Sequence, residues 1–480
     1  MDKKNKDSSF GRLLALLLVV AIVGLSLYWL PETLLGYKIK KVDLLSDIRI
    51  KSNSSVLASL KKQIEEDTVQ IGLIMPDDSL LLSIGYDSMM LASRDSLYRI
   101  LHATKVADST GSRIEDYSFG HIGLKRFFSA LNRRSSLDRP VRIAFLGDSF
   151  IEGDIVVADF RSAMQAQFGG RGVGFVPVSS VTDQFRPTID QQSEGWTSFS
   201  IMTDTIQDYT LSGMLFYPSE RASLALKTVD RYPGLNEVSS IKLLYSHNKE
   251  TSVHFTGNAY PDTLIKTLPQ TSTIAQYELK GPFTKGRFTF TNTDSFQVLG
   301  TVLEDNNGIV VDNFSLRGNT GMLLSELDVK QCRAFSKIRP YDLIVLQYGL
   351  NVVSENILNY GWYRARMVST IKHLQECFPD TDILLLGVSD MGYQAERTIK
   401  TMPAVLALLH AQRQTAQQAG ITFWNTFGAM GGENSMRHYV ERNWASKDYT
   451  HLSFRGGREV ANALVKSLLL EKEFYDVAEE

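Results

Sequence analysis

The stretch Val141 to Asp154, VRIAFLGDSFIEGD, constrains the fold of this chain more than any other. Its apolar run stops at Gly147-Asp148-Ser149, which predicts a buried strand that delivers a serine to its carboxyl end. In an open α/β sheet ligands bind outside that end, where the strand ends and the following helix N-termini leave a crevice. Gly147 allows a tight turn, and Val156 to Phe168 has helical spacing that stops at Gly169-Gly170. Ser149 is therefore a candidate nucleophile. On its own a Gly-Asp-Ser turn is explained as well by the end of a strand, so the rest of the chain has to decide.

The same texture returns late in the chain. Ile309 to Asn313, Asp342 to Gln347, Asp382 to Val388 and Ile421 to Asn425 read as strands. Trp362 to Cys377, Pro403 to Gln418 and Arg455 to Phe474 read as helices, as does Tyr117 to Leu131 ahead of the first strand. Alternation of this kind predicts a three-layer α/β domain, a parallel sheet covered on both faces. Between about Thr182 and Val310 helical spacing disappears. Short alternating segments such as ASLALKTV (222–229), SSIKLLYSH (239–247), TSVHFTGNAY (251–260), GRFTFTNT (286–293) and FQVLGTVLE (296–304) replace it, broken by Pro, Gly, Asn and Asp. That pattern predicts a β-sandwich inserted into the first domain. Trp196, Tyr245, Tyr260 and Phe283 could be platforms for sugar rings, but aromatic residues filling a sandwich core are the better expectation for any one of them.

From Leu13 to Pro31 no charged residue occurs. As a helix this run would be roughly 27 Å long, about the thickness of a bilayer's hydrocarbon core. Lys3, Lys4, Lys6 and Arg12 precede it, Tyr28 and Trp29 lie at its far end, and no clean small-x-small cleavage site follows. The expectation is an uncleaved, single-pass anchor with a cytoplasmic N-terminus and the rest of the chain outside the cytoplasm. Lys38, Lys40 and Lys41 on the other flank weaken that orientation, and a cleaved signal peptide is the minority reading. The expected organisation is a cytoplasmic tail (1–12), anchor (13–31), stalk (32–115), first part of the α/β domain (116–181), β insert (182–310) and second part (311–480).

Composition narrows the function. A net charge of −2 over 480 residues leaves no basic field for nucleic acid, and no phosphate-loop or zinc-finger spacing occurs. The two cysteines, Cys332 and Cys377, form no CxxC pair, which excludes a disulfide framework or a thiolate metal cluster. One disulfide and two buried thiols both fit. No metal or cofactor is expected.

Four polar sites fall at strand ends in a fixed order: Ser149, Gly318, Asn351 in Gly349-Leu350-Asn351, and Asp448 with His451 just before the last helix. Here the sequence resembles the SGNH, or GDSL-type, hydrolases, whose motifs are a GDS serine, a Gly, a GxN Asn and a late DxxH. GDSFIEGD followed by FGGRGVGFVP is similar, more narrowly, to membrane-associated or secreted bacterial members related to peptidoglycan and polysaccharide O-acetylesterases. The resemblance implies Ser149 as nucleophile, His451 as base, Asp448 orienting the imidazole, and an oxyanion hole from the N–H groups of Ser149 and Gly318 and the amide of Asn351. Such chemistry needs these residue types, because a serine hydroxyl must lose its proton to a base and the developing oxyanion needs donors already in place. One departure is visible: Val352 follows Asn351, where many members carry Asp.

The expected activity is removal, or transfer, of O-acetyl groups on an envelope or secreted polysaccharide through an acyl-serine. The alternatives are an esterase for small or lipid esters, and a non-catalytic glycan-binding envelope protein on a hydrolase scaffold. A scaffold has no physical need for His451 and Asn351 together.

Overall fold

The computed structural model describes residues 113–204 and 208–479, and the backbone of Thr33–Leu34 and Tyr37–Lys38, which pair antiparallel. That pair belongs to one unit, Met1–Asp77, and all that follows belongs to the other, Asp78–Glu480. The expected anchor, Leu13 to Pro31, lies outside the described residues, among which no helix is long and apolar enough to cross a membrane.

Within the larger unit the chain begins β1 (Ile114–Asp116), α1 (Lys125–Asn132), β2 (Val141–Gly147) and α2 (Val157–Phe168). Nine strands follow: β3 (Gly174–Val176), β4 (Asp190–Ser200), β5 (Met214–Lys227), β6 (Val238–Ser246), β7 (Ser252–Gly257), β8 (Leu264–Thr267), β9 (Ala275–Phe283), β10 (Lys285–Thr291) and β11 (Gln297–Glu304). Then come β12 (Ile309–Ser315), α3 (Val329–Ile338), β13 (Leu343–Gln347), α4 (Gly361–Cys377) and β14 (Asp382–Leu386). A hairpin, β15 (Gly392–Ala395) and β16 (Thr398–Thr401), leads to α5 (Pro403–Ala419), β17 (Thr422–Trp424), the short α6 (Thr426–Ala429) and α7 (Ser435–Glu441), and a long α8 (Phe454–Glu479).

Six strands form the α/β sheet in the order β12-β2-β13-β14-β17-β1. All neighbours are parallel except β17 and β1. Every residue of β2, β13 and β14 is buried, which is why these strands read as mainly apolar runs rather than alternating ones, interrupted inside only by Arg142 of β2. Helices pack as the pairs α2 with α8 and α4 with α5. Strand order reverses beside β2: β12 leaves to one side and β13 to the other, so the crevice outside their carboxyl ends is the position where ligands bind in such sheets. The helix expected over Tyr117 to Leu131 is shorter, because Gly120 at φ +69° breaks it and only Lys125–Asn132 is helical.

The nine strands from β3 to β11 lie in sequence between α2 and β12 and are joined by hydrogen bonds into one sheet. β5, the longest, pairs with β4 along its length, with β10 through Ser223–Lys227, and with β11 at Phe216. This sheet starts at Gly174 rather than near Thr182 and ends at Glu304, while Ile309 and Val310 belong to the parallel sheet. Tyr245 and Phe283 are fully buried in its core. Trp196 packs edge-on against Phe290 and donates its indole N–H to the Ser223 carbonyl, and Tyr260 packs on Phe255 and Phe283. Tyr245 and Phe283 are thus core aromatics as expected, whereas Trp196 and Tyr260 are partly buried and pack against that core. Cys332 and Cys377 are two buried thiols, not a disulfide.

A buried charge cluster ties the two sheets together. Glu304, the last residue of β11, is wholly buried and accepts from Arg142 of β2 (2.9 Å), Lys242 of β6 (2.8 Å) and Arg339 beyond α3 (2.9 Å). Arg339 also grips Asp312 of β12 at 2.5 Å, and the Tyr341 hydroxyl donates to the same carboxylate. Burial alone would raise the Glu304 carboxyl, but the three cations outweigh it and hold it well below the usual carboxylate range.

Candidate active site

The serine stands where the strand predicts. Ser149 stands two residues beyond the end of β2, and Gly147 must be glycine because a Cβ there would lie 2.8 Å from the Gln347 carbonyl oxygen and the Ile151 side chain. Ser149 is nearly buried, with its Oγ 3.2 Å from His451 Nε2. The other ring nitrogen, Nδ1, lies 2.7 Å from Asp448 Oδ2. An Nδ1–H donated to Asp448 leaves the Nε2 lone pair to accept from the serine hydroxyl, which is the tautomer a general base requires. Asp448 also accepts the backbone N–H groups of Thr450 and His451 through Oδ1, at 2.9 and 3.1 Å, so one carboxylate shapes the loop and orients the ring. Burial pulls the Asp448 carboxyl up, but these bonds outweigh it and leave it below its ordinary value, so it is ionised at neutral pH.

Gly318 and Asn351 come to the same crevice from the neighbouring strands. Gly318 follows β12 with φ +79°, a conformation that favours glycine, and the space where a side chain would begin is open, with only the Met202 methyl, at 4.0 Å, near it. Asn351 follows β13 in the short turn Leu350–Val352. Its amide nitrogen donates to Asp148 Oδ2 and to the Asn319 carbonyl, both at 3.0 Å. The structure thus brings Ser149, His451 and Asp448 into one hydrogen-bonded line and puts Gly318 and Asn351 in the loops after the two strands that flank β2.

Three features of the site were not readable from the sequence. Asp148 contacts a residue 203 positions away, so nothing local announces it beyond its place beside the serine. Arg317 reaches back to Glu152 at 2.6 Å, joining the Gly318 loop to the turn after the nucleophile. A cavity of about 240 Å³ next to these groups is lined by Glu152, Arg186, Met202, Met214, Asn313 and Arg317, so the β4–β5 hairpin reaches the neighbourhood of Gly318. Under it Asp154 accepts from Arg161, Arg186 and Asn313, with Thr188 also donating to it. Among the described residues no cluster of acidic, histidine or cysteine side chains is arranged to hold a metal.

No family model matches the sequence, and no curated protein matches it. Among solved structures, one described as a peptidoglycan O-acetylesterase in action is similar over 75% of this chain and 99% of its own, with a TM-score of 0.62 and 21% identity. The chain shares the fold of that structure. A family two carbohydrate esterase from Cellvibrio japonicus (10% identity, 60% of this chain and 100% of that one) has a TM-score of 0.27. A lipase/acylhydrolase from Enterococcus faecalis (17% identity, 34% of this chain and 76% of that one) has a TM-score of 0.24.

Proposed function

We propose that this SGNH-fold chain is a serine esterase that removes, or transfers, O-acetyl groups on a cell-envelope or secreted polysaccharide. The observation that carries the reading is the line Ser149 Oγ to His451 Nε2 (3.2 Å) and His451 Nδ1 to Asp448 Oδ2 (2.7 Å). In this reading Ser149 Oγ attacks the acetyl carbonyl carbon while His451 takes its proton. The carbonyl oxygen becomes an oxyanion facing the N–H groups of Ser149 and Gly318 and the Asn351 amide, each donor worth about 2.7–4 kcal/mol in the transition state. Collapse breaks the bond to the sugar oxygen, which leaves with the proton from His451, and acetyl-Ser149 remains. Water, or a second sugar hydroxyl in a transfer, then attacks with His451 again as base, and the proton returns to Ser149.

The side chains of His451 and Asp448 are 43% and 48% exposed, so the base lies at an open surface that a polymer can approach. That favours an acetyl group on a large alcohol over a long acyl chain needing a deep apolar pocket. The name of the similar O-acetylesterase structure supports the same substrate class. The charge-free run Leu13 to Pro31 supports an anchor that holds the catalytic part in the periplasm, beside envelope glycans.

The test is labelling with a fluorophosphonate together with acetate release from acetylated polysaccharide and from a small acetyl ester. Ser149 is the expected site of labelling, and Ser149→Ala is expected to lose both label and acetate release. Full acetate release by the Ala variant would refute the mechanism.

A further inference from the structure

We infer that Asp148, the residue before the nucleophile, is a positioning residue that aims the amide of Asn351; this rests on the esterase reading above. Asp148 is wholly buried and its two oxygens have different tasks. Oδ1 accepts the Phe150 N–H at 2.9 Å, the ordinary role of an Asp in a turn. Oδ2 accepts from Asn351 Nδ2 at 3.0 Å, a contact that shaping the turn does not require.

A primary amide has two N–H groups. One from Asn351 points to Asp148 and the other to the Asn319 carbonyl, 3.0 Å away. Asn319 is itself buried, and its side chain accepts the Gly321 N–H at 2.9 Å. The amide plane of Asn351 is therefore set from two sides, by the residue before Ser149 and by the residue after Gly318. All three segments that present oxyanion donors are stitched together at one nitrogen. When the oxyanion forms, an Asn351 N–H is shared with it in a three-centre bond, and an amide already held in plane need not reorganise to make it.

A carboxylate suits this task and an amide does not. Asn at position 148 would offer one oxygen for two donors and turn its own NH₂ toward the other. Burial pushes the Asp148 carboxyl up to about 7, so keeping it charged here is unfavourable in itself, and the Phe150 N–H, the nearby His451 and the Asn351 amide pull the other way. Asp148 makes no hydrogen bond to His451, whose Nδ1 is taken by Asp448, but its charge also acts on that ring; only the part of its effect that passes through Asn351 vanishes once Asn351 is Ala.

A double-mutant cycle on the full chain, with a chromogenic acetyl ester as substrate, tests this. Asp148→Asn is expected to lower kcat on the order of 10-fold with KM nearly unchanged, and to lower it less than about 2-fold further once Asn351 is Ala. Equal losses in the two backgrounds would make Asp148 a turn former only and overturn the inference, as would undiminished kcat in Asp148→Asn. Asn351→Gln tests the same geometry without altering Asp148. It keeps both N–H groups but carries them one methylene past the carboxylate, and is expected to lose as much kcat as Asn351→Ala; activity like that of the unchanged protein would also overturn the inference. Absence of both turnover and labelling in the unchanged protein would overturn the esterase reading and this inference with it, whereas an active protein indifferent to Asp148→Asn overturns this inference alone.

Discussion

Glu304→Gln probes how firmly the two sheets are joined. The cluster holds three cations, Arg142, Lys242 and Arg339, against Glu304, Asp312 and the part-exposed Glu278. Glutamine keeps the shape of Glu304 but removes its charge, leaving three buried cations facing one buried and one part-exposed carboxylate. Removing one partner of a buried ion pair costs about 3–5 kcal/mol, because the charges left behind stay desolvated. With a urea slope of about 3 kcal/mol per molar, the unfolding midpoint should fall by about 1 M or somewhat more. Tryptophan fluorescence follows this directly, since Trp424 is fully buried in β17. The sign of the pH dependence follows from the depressed carboxyl of Glu304. Its contribution is fully present above the unfolded value of about 4.3, declines below that, and is lost as pH falls through the lowered folded value. The gap between the two proteins should therefore narrow on acidification. A loss below about 1 kcal/mol at neutral pH, or a gap that widens in acid, would refute the reasoning.

Other outcomes follow from single residues. Asn351→Ala should lower kcat about 10²–10³-fold with much less change in KM; a change confined to KM would make it a substrate-binding residue instead. Burial pushes the Asp382 carboxyl up to about 7, so the folded protein holds a proton there that the unfolded chain has released. Stability from this group falls as pH rises from about 4 to about 7, and Asp382→Asn should flatten that part of a thermal-melt series; an unchanged slope would argue against it. The full chain should stay with membranes through an alkaline carbonate wash, and protease added to spheroplasts should digest the part beyond the stalk; protection of that part would reverse the proposed orientation.

The parallel sheet was legible because burial on both faces makes its central strands mainly apolar, as in LIVLQ of β13 and DILLL of β14, where the polar residue stands at one end of the run. The same logic explains what was missed. β4 reads DQQSEGWTSFS, polar on both faces, and is held by its pairing with β5 rather than by an apolar pattern of its own. The β15–β16 hairpin is short and partly buried, and its Gly392 N–H is bonded to the Tyr449 carbonyl inside the Asp448–His451 loop, a contact between remote segments. Ser149, Gly318, Asn351, Asp448 and His451 were named from motifs, and the fold gathers them. Their supports were not legible, because Asp148–Asn351 and Arg317–Glu152 join residues far apart in the chain and of types that usually form turns or surface pairs.

The buried charges also change how the strands between α2 and β12 have to be questioned. An insert that merely overhangs a crevice could be cut out and replaced by a linker. Here removal of about 182–310 would take away Glu304 and Lys242 and leave Arg142, Arg339 and Asp312 at a newly exposed face of the parallel sheet. It would also remove Arg186 and Thr188 from Asp154, which sits five residues after the nucleophile. Loss of activity after such a deletion would therefore report on folding before it reported on substrate binding. Point changes avoid that confusion at Met202, in the turn after β4, which is partly buried, lines the cavity beside Arg317 and lies near Gly318. A contact of this kind can position a polymer and is out of reach of a small ester, so the two substrates separate recognition from catalysis at a residue on which neither sheet's core depends.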